Sequence, residues 1–148
     1  MLLRLDLATG TAEVVNAGHV PPLLVRAGQV RELDLQADPA FGVLPDAGYR
    51  RQWAQLEPGD RLVLMTDGML ERNAIDARVV ELLGRIGDLH PREAVQVLSG
   101  AVQQATGGRL LDGATVLVLD WYGGPDQQRG ATAGATRGRA SQPAASPR

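Results

Sequence analysis

Apolar and polar positions alternate from the first residues of the chain. Leu3, Leu5 and Leu7 interleave with Arg4 and Asp6, the period of two that predicts a strand with one buried face. Ala8-Thr9-Gly10 then predicts a hairpin turn and Thr11 to Asn16 its returning strand. Asn16-Ala17-Gly18-His19-Val20-Pro21-Pro22 predicts a rigid loop, because two prolines fix φ and exclude helix. A second hairpin follows, Leu23 to Arg26, the turn Ala27-Gly28-Gln29, and Val30 to Leu35. Residues 36 to 48 carry Asp38-Pro39, Gly42, Pro45-Asp46 and Gly48 and predict a loop packed through Phe41 and Leu44. Tyr49 to Leu56 alternates again and predicts an amphipathic strand.

The turn Glu57-Pro58-Gly59-Asp60 opens the stretch on which the chain is organised. Leu62 to Met65 is a short apolar run that predicts a buried strand, ending abruptly in Thr66-Asp67-Gly68. Beyond it the period changes. Ile75, Val79, Leu82, Leu83 and Ile86 share one helical face, and Gly87-Asp88 ends that helix. A second helix opens at Pro91, a favoured first-turn residue, and buries Ala94, Val95, Leu98, Ala101, Val102 and Ala105 up to Gly107-Gly108. Both helices read as cover for a sheet. Thr115 to Trp121 predicts a last, nearly continuous apolar strand. The fold class expected from this order is α+β.

Composition narrows the function classes. The 148 residues suit one domain. Cys is absent, which removes disulfides and thiolate metal sites. All 15 basic residues are Arg, and the net charge of -2 argues against a nucleic-acid surface. Aromatics are only 3%, so stacking platforms for bases or sugars are not expected. No run approaches the roughly 20 apolar residues of a membrane span, and the amino terminus resembles no signal peptide. From Gly123 to Arg148 one acid, Asp126, stands against four arginines, giving the tail a charge of +3 and leaving the rest at -5 (-2 minus +3). That tail, 123–148, has too little apolar surface to offset ordering and is expected to be disordered.

Three residues are candidates for chemistry. Asp67 leaves the end of the buried strand beside a glycine that lets the backbone turn, so its carboxylate can face a cleft; the alternative is a turn residue bonded to nearby amides. Asp112, in Leu111-Asp112-Gly113-Ala114-Thr115, enters the last strand and is equally open to a turn reading. If the two strands are antiparallel neighbours, both carboxylates meet at one sheet edge and offer the oxygen donors that Mg²⁺ or Mn²⁺ prefer. His19 is either a loop imidazole bonded to backbone or a general-acid or phosphate contact.

Four motifs occur in a fixed order: Asn16-Ala17-Gly18-His19-x-Pro21-Pro22-Leu23-Leu24, Gly42-Val43-Leu44-Pro45, Pro58-Gly59-Asp60-x-Leu62-x-Leu64-x-Thr66-Asp67-Gly68-x-x-Glu71, and Asp112-x-Ala114-Thr115-Val116. In this the chain resembles SpoIIE-type, PPM (phosphatase 2C-like) protein serine/threonine phosphatases from Met1 to about Trp121. The resemblance implies a partial PPM-type domain over 1–122: part of an αββα sandwich of antiparallel sheets, with two carboxy-terminal helices. It implies a cytoplasmic, metal-dependent enzyme in which two Mg²⁺ or Mn²⁺ ions and a water hydrolyse phosphoserine or phosphothreonine. Asp67 and Asp112 match metal-binding positions, and the Asn16 to His19 loop matches an architectural one. The substrates implied are phosphorylated regulators such as anti-sigma-factor antagonists.

Two departures qualify the resemblance. Gly113 stands where the family shows a second acid, which weakens support of the Asp112 carboxylate. The amino-terminal half of the family domain, with its bridging Asp, has no counterpart here, and the pattern starts inside a strand. The expectations are therefore either the carboxy-terminal portion of a phosphatase, very poorly active alone and prone to self-association through an exposed sheet edge, or a non-catalytic module that binds a regulatory partner.

Overall fold

The computed structural model describes residues 1–66, 73–105 and 114–123, with side chains from 78 onward in the first helix. Among these described residues seven strands and two helices follow in the order β1 (Leu2–Leu5), β2 (Thr11–Val15), β3 (Leu23–Arg26), β4 (Gln29–Glu32), β5 (Gln52–Gln55), β6 (Asp60–Met65), α1 (Asn73–Arg85), α2 (Pro91–Ala105) and β7 (Val116–Trp121). They form a three-stranded sheet, β1-β2-β5, and a four-stranded sheet, β4-β3-β6-β7, with every pairing antiparallel. The α+β class with antiparallel sheets and two carboxy-terminal helices is thus what the chain adopts.

Strand periodicity sorts the core into two layers. Leu23, Val25, Val63 and Met65 leave one face of the larger sheet and pack with Val79, Leu83, Ala94, Leu98 and Val102 of the helices. Leu24 and Leu62, with Leu119 and Trp121, leave the other face and meet Leu3, Leu5 and Ala54 of the smaller sheet. The order of layers is helix pair, four-stranded sheet, three-stranded sheet.

The turns show why the strands end where they do. Asp6 accepts the N–H groups of Ala8 (2.9 Å) and Thr9 (3.3 Å), so the chain leaves β1 one residue before Leu7. Leu7, expected on the buried face, is exposed. Gly10 has φ +73°, and a Cβ there would stand 2.5 Å from the Trp121 ring, so only glycine closes this hairpin against the core. In the second hairpin Arg26 pairs with Gln29, leaving Ala27 and Gly28 as the two-residue turn. Both have positive φ (49° and 77°), the type I′ form that matches strand twist; for Ala27 this is a strained conformation.

The loop before β5 departs from expectation. Phe41 and Leu44 do not pack into the core: they are 53% and 52% exposed, and Val43 between them is 67% exposed. Pro39 and Pro45 and the positive φ of Gly42 (79°) turn this segment outward, and the Phe41 ring lies against that of Tyr49, centroids 4.7 Å apart. In α1 the side chain of Ile75 lies outside the described residues, as do Gly107-Gly108 and the tail from 124.

Candidate active site

The apolar β6 and β7 pair over their full length, from Asp60 opposite Trp121 to Met65 opposite Val116. One residue further, the Thr66 N–H donates to the Thr115 carbonyl (3.0 Å), and the Thr115 N–H donates to Thr66 Oγ1 (2.9 Å). This reciprocal pair closes the ladder. The strands are therefore the antiparallel neighbours that the sequence argument required. Asp67 follows Thr66 directly, and Asp112 precedes Thr115 by three residues; both, with Gly68, Glu71 and Gly113, lie outside the described residues.

The Asn16 to Pro22 loop stands at the same end. It runs directly into β3, whose Leu23 pairs with Val63 of β6, and Val20 and Pro21 line one cleft with Met65. Asn16 is fully buried; its Oδ1 accepts the His19 N–H (2.9 Å) and its carbonyl accepts the Asp38 N–H (2.7 Å). Its Nδ2 has no hydrogen-bond partner among the described residues. His19, half-buried, spends Nδ1 on the Val20 carbonyl at 2.7 Å, which assigns the proton to Nδ1 in the neutral ring and leaves Nε2 an acceptor. The architectural reading of this loop accounts for each of these bonds.

Asp38 carries the loop's second anchor. It accepts the Arg50 backbone N–H (2.7 Å) and the Arg50 guanidinium, with Nε at 2.7 Å and Nη2 at 2.6 Å. The Arg50 backbone N–H, and after it the guanidinium, hold the Asp38 carboxyl below the usual carboxylate range. Asp38 also bridges to Ala17, which fastens the 38–50 loop to the His19 loop.

The Pro58-Gly59-Asp60 motif lies at the opposite end of β6 and is structural. Asp60 accepts the Glu57 N–H (2.7 Å) and two nitrogens of Arg26, at 2.9 and 2.6 Å. Beside it Arg61, buried within β6, pairs with Asp120 of β7 and donates to the carbonyls of Ile86 and Leu89, tying both strands to the turn between the helices. Sequence reasoning missed this pair and the Asp38–Arg50 pair. The available signal for Arg61 was a charge opening an otherwise apolar run.

Among the described residues no group of three or more His, Asp or Glu could hold a metal ion. The orphaned Asn16 Nδ2 is a donor, which suits a carbonyl or anionic oxygen and repels a cation. The described residues therefore do not by themselves make a metal centre. No described helix is long and apolar enough to cross a membrane.

The arrangement has known counterparts. The fold is similar to the phosphatase domain of SpoIIE from Bacillus subtilis, with TM-score 0.67, 21% identity, and coverage of 86% of this chain and 58% of that one. It is similar also to the PPM Ser-Thr phosphatase MsPP from Mycobacterium smegmatis, with TM-score 0.56, 22% identity, and coverage of 74% and 55%. In sequence, Protein IcfG of Synechocystis sp. is 25% identical over 67 residues, which are 45% of this chain and 11% of that protein. The chain thus spans little more than half of the solved domains it matches and a small part of the curated relative. The sequence profile described as Stage II sporulation protein E (SpoIIE) matches residues 1–122, the whole of the layered fold, and on that match the chain belongs to the SpoIIE family.

Proposed function

We propose that this chain is part of a metal-dependent protein serine/threonine phosphatase of the SpoIIE type. Its substrate would be phosphoserine or phosphothreonine on a bacterial regulatory protein, such as an anti-sigma-factor antagonist, in the cytoplasm. The observation that carries the reading is the closure of β6 on β7 at Thr66 and Thr115, because the segments bearing Asp67 and Asp112 leave from that one sheet edge. Asp67 and Asp112 would hold one Mg²⁺ or Mn²⁺ ion, which when bound supplies a Lewis acid for phosphoryl oxygens and an acidified water. Two carboxylates leave most of an octahedral shell to water, so binding by this chain alone would be weak and hydrolysis very slow.

Isothermal titration with Mn²⁺ tests the site. The expected result is a single weak site in the wild type, lost in Asp67→Ala and in Asp112→Ala. Equal binding by all three proteins would overturn the assignment. Activity is read with Mn²⁺ on a phosphoserine protein, for this chain beside a form extended upstream in frame. Activity of this chain equal to that of the extended form would mean that the ligand assignment is wrong.

A second reading, a phosphatase-like module that binds a regulatory partner without hydrolysis, takes its support from Gly113, which stands where the family shows a second acid. It predicts binding of the phosphoprotein with no Mn²⁺ dependence and no phosphate release from either form.

A further inference from the structure

Ala40 to Pro45 contains no charged residue, and Phe41, Val43 and Leu44 within it are each more than half exposed. Scattered surface apolar groups need no explanation, but three large ones in four residues form a patch. The segment is held in shape from below. Two turns, Val43 N–H to Ala40 carbonyl (3.2 Å) and Ala47 N–H to Leu44 carbonyl (3.4 Å), fold the tip. Arg50 clamps its base through Asp38, Gln36 and the Ala37 carbonyl. Gln52 exchanges two 2.8 Å hydrogen bonds with the Gln36 backbone. A tip that is apolar on the outside and pinned at the base loses little entropy when it docks.

Its position and charge select the occupant. A Cβ on Gly18 would stand 3.6 Å from Ala40 Cβ, so the base of the tip lies against the His19 loop at the same end as Thr66 and Thr115. Asp46, exposed directly after the tip, gives it an acidic flank, and the chain carries a net charge of -2. An anionic lipid surface attracts the reverse pattern, arginines or lysines around an apolar face. A convex apolar tip with an acidic flank complements an apolar groove with a basic rim on a folded protein.

We propose that Phe41, Val43 and Leu44 form a docking anchor that inserts into such a groove on the protein substrate and holds it beside the strand ends at Thr66 and Thr115. This rests on the phosphatase reading above and names how its protein partner is held.

The test uses the triple variant Phe41→Ser/Val43→Ser/Leu44→Ser, with Leu7→Ser as a control for loss of surface apolarity elsewhere. All four side chains are exposed, and thermal melting checks that each protein folds. The probe is a phosphorylated anti-sigma-factor antagonist. The expected result is affinity weakened about tenfold or more in the triple variant and unchanged in Leu7→Ser. In the form extended upstream in frame, KM for the phosphoprotein rises while hydrolysis of p-nitrophenyl phosphate is unchanged. Equal binding by wild type and triple variant overturns the proposal, as does an equal loss in Leu7→Ser. Concentration-dependent dimerisation abolished by the triple variant, or tip-dependent binding to phosphatidylserine vesicles, would give the tip a different occupant and also overturn it. Hydrolysis of both substrates with no dependence on the tip sinks only the docking anchor. Failure of the extended form to hydrolyse either substrate sinks the phosphatase reading, and absence of any phosphoprotein binding by the wild type then removes the anchor as well.

Discussion

Arg61 Nε lies 2.7 Å from Asp120 Oδ1, with the two side chains only 1% and 2% exposed. The pair spans neighbouring strands, since Arg61 and Asp120 are register partners. Tyr122 Oη donates to Asp120 Oδ2 at 2.7 Å, and Arg61 donates to the carbonyls that end the first helix and its turn. Burying two charges is costly, and removing one partner leaves the other uncompensated. Asp120→Ala is therefore expected to destabilise the fold by about 3–5 kcal/mol. Urea unfolding followed by tryptophan fluorescence measures it; a loss below about 1 kcal/mol would show that the guanidinium finds water or another acceptor.

Acid sensitivity should trace to Asp38. Its carboxyl is held below its ordinary value by the Arg50 N–H and guanidinium, so the unfolded chain takes up the proton first as pH falls. The stabilisation is complete above about pH 4, the unfolded value, and drains away as pH drops through the lower folded value. Asp6, lowered mainly by the N–H groups of Ala8 and Thr9, acts in the same direction. Unfolding midpoints in urea between pH 6 and 2.5 should fall less steeply for Asp38→Asn than for the wild type. Parallel curves would remove Asp38 from the account.

At Gly10 an added methyl meets the Trp121 ring at 2.5 Å and the Leu56 carbonyl at 2.8 Å, on a backbone of φ +73°. Overpacking and positive φ together predict a loss of about 2–4 kcal/mol in Gly10→Ala. Gly28 has a similar φ, +77°, with nothing within 4 Å of its Cβ position, so Gly28→Ala carries only the backbone part, about 1 kcal/mol. Thermal melts of the two variants separate the terms, and equal losses would mean that the ring moves aside.

The clamp at the strand ends can be opened alone. Thr66→Val keeps the shape of the side chain but removes the oxygen that accepts the Thr115 N–H. The expected cost is about 1 kcal/mol by chemical denaturation, with hydrogen exchange at Thr115 accelerated while that at Val118 is unchanged. Uniform acceleration along β7 would show that the strand opens as a unit.

The sequence by itself determined the elements and their class. Leu3 and Leu5, Leu23 to Val25 and Leu62 to Met65 carry their own period, and Val79, Leu83, Leu98 and Val102 carry the helical one, because local geometry alone fixes which side chains share a face. Chain order and turn chemistry gave the hairpins, with the returning strand of the second ending at Glu32, three residues short of the expected Leu35, and the four motifs gave the family. Only the tertiary structure decided which faces meet. Pairing β6 with β7 joined Arg61 to Asp120 across 59 residues, and the packing of the two sheets buried Asn16 and left its Nδ2 without a partner among the described residues. It also left Phe41 and Leu44, expected to pack their loop, outside the core, with Val43 exposed between them. Such outcomes depend on contacts between distant segments, and a period read along one segment carries no information about what the fold sets against it.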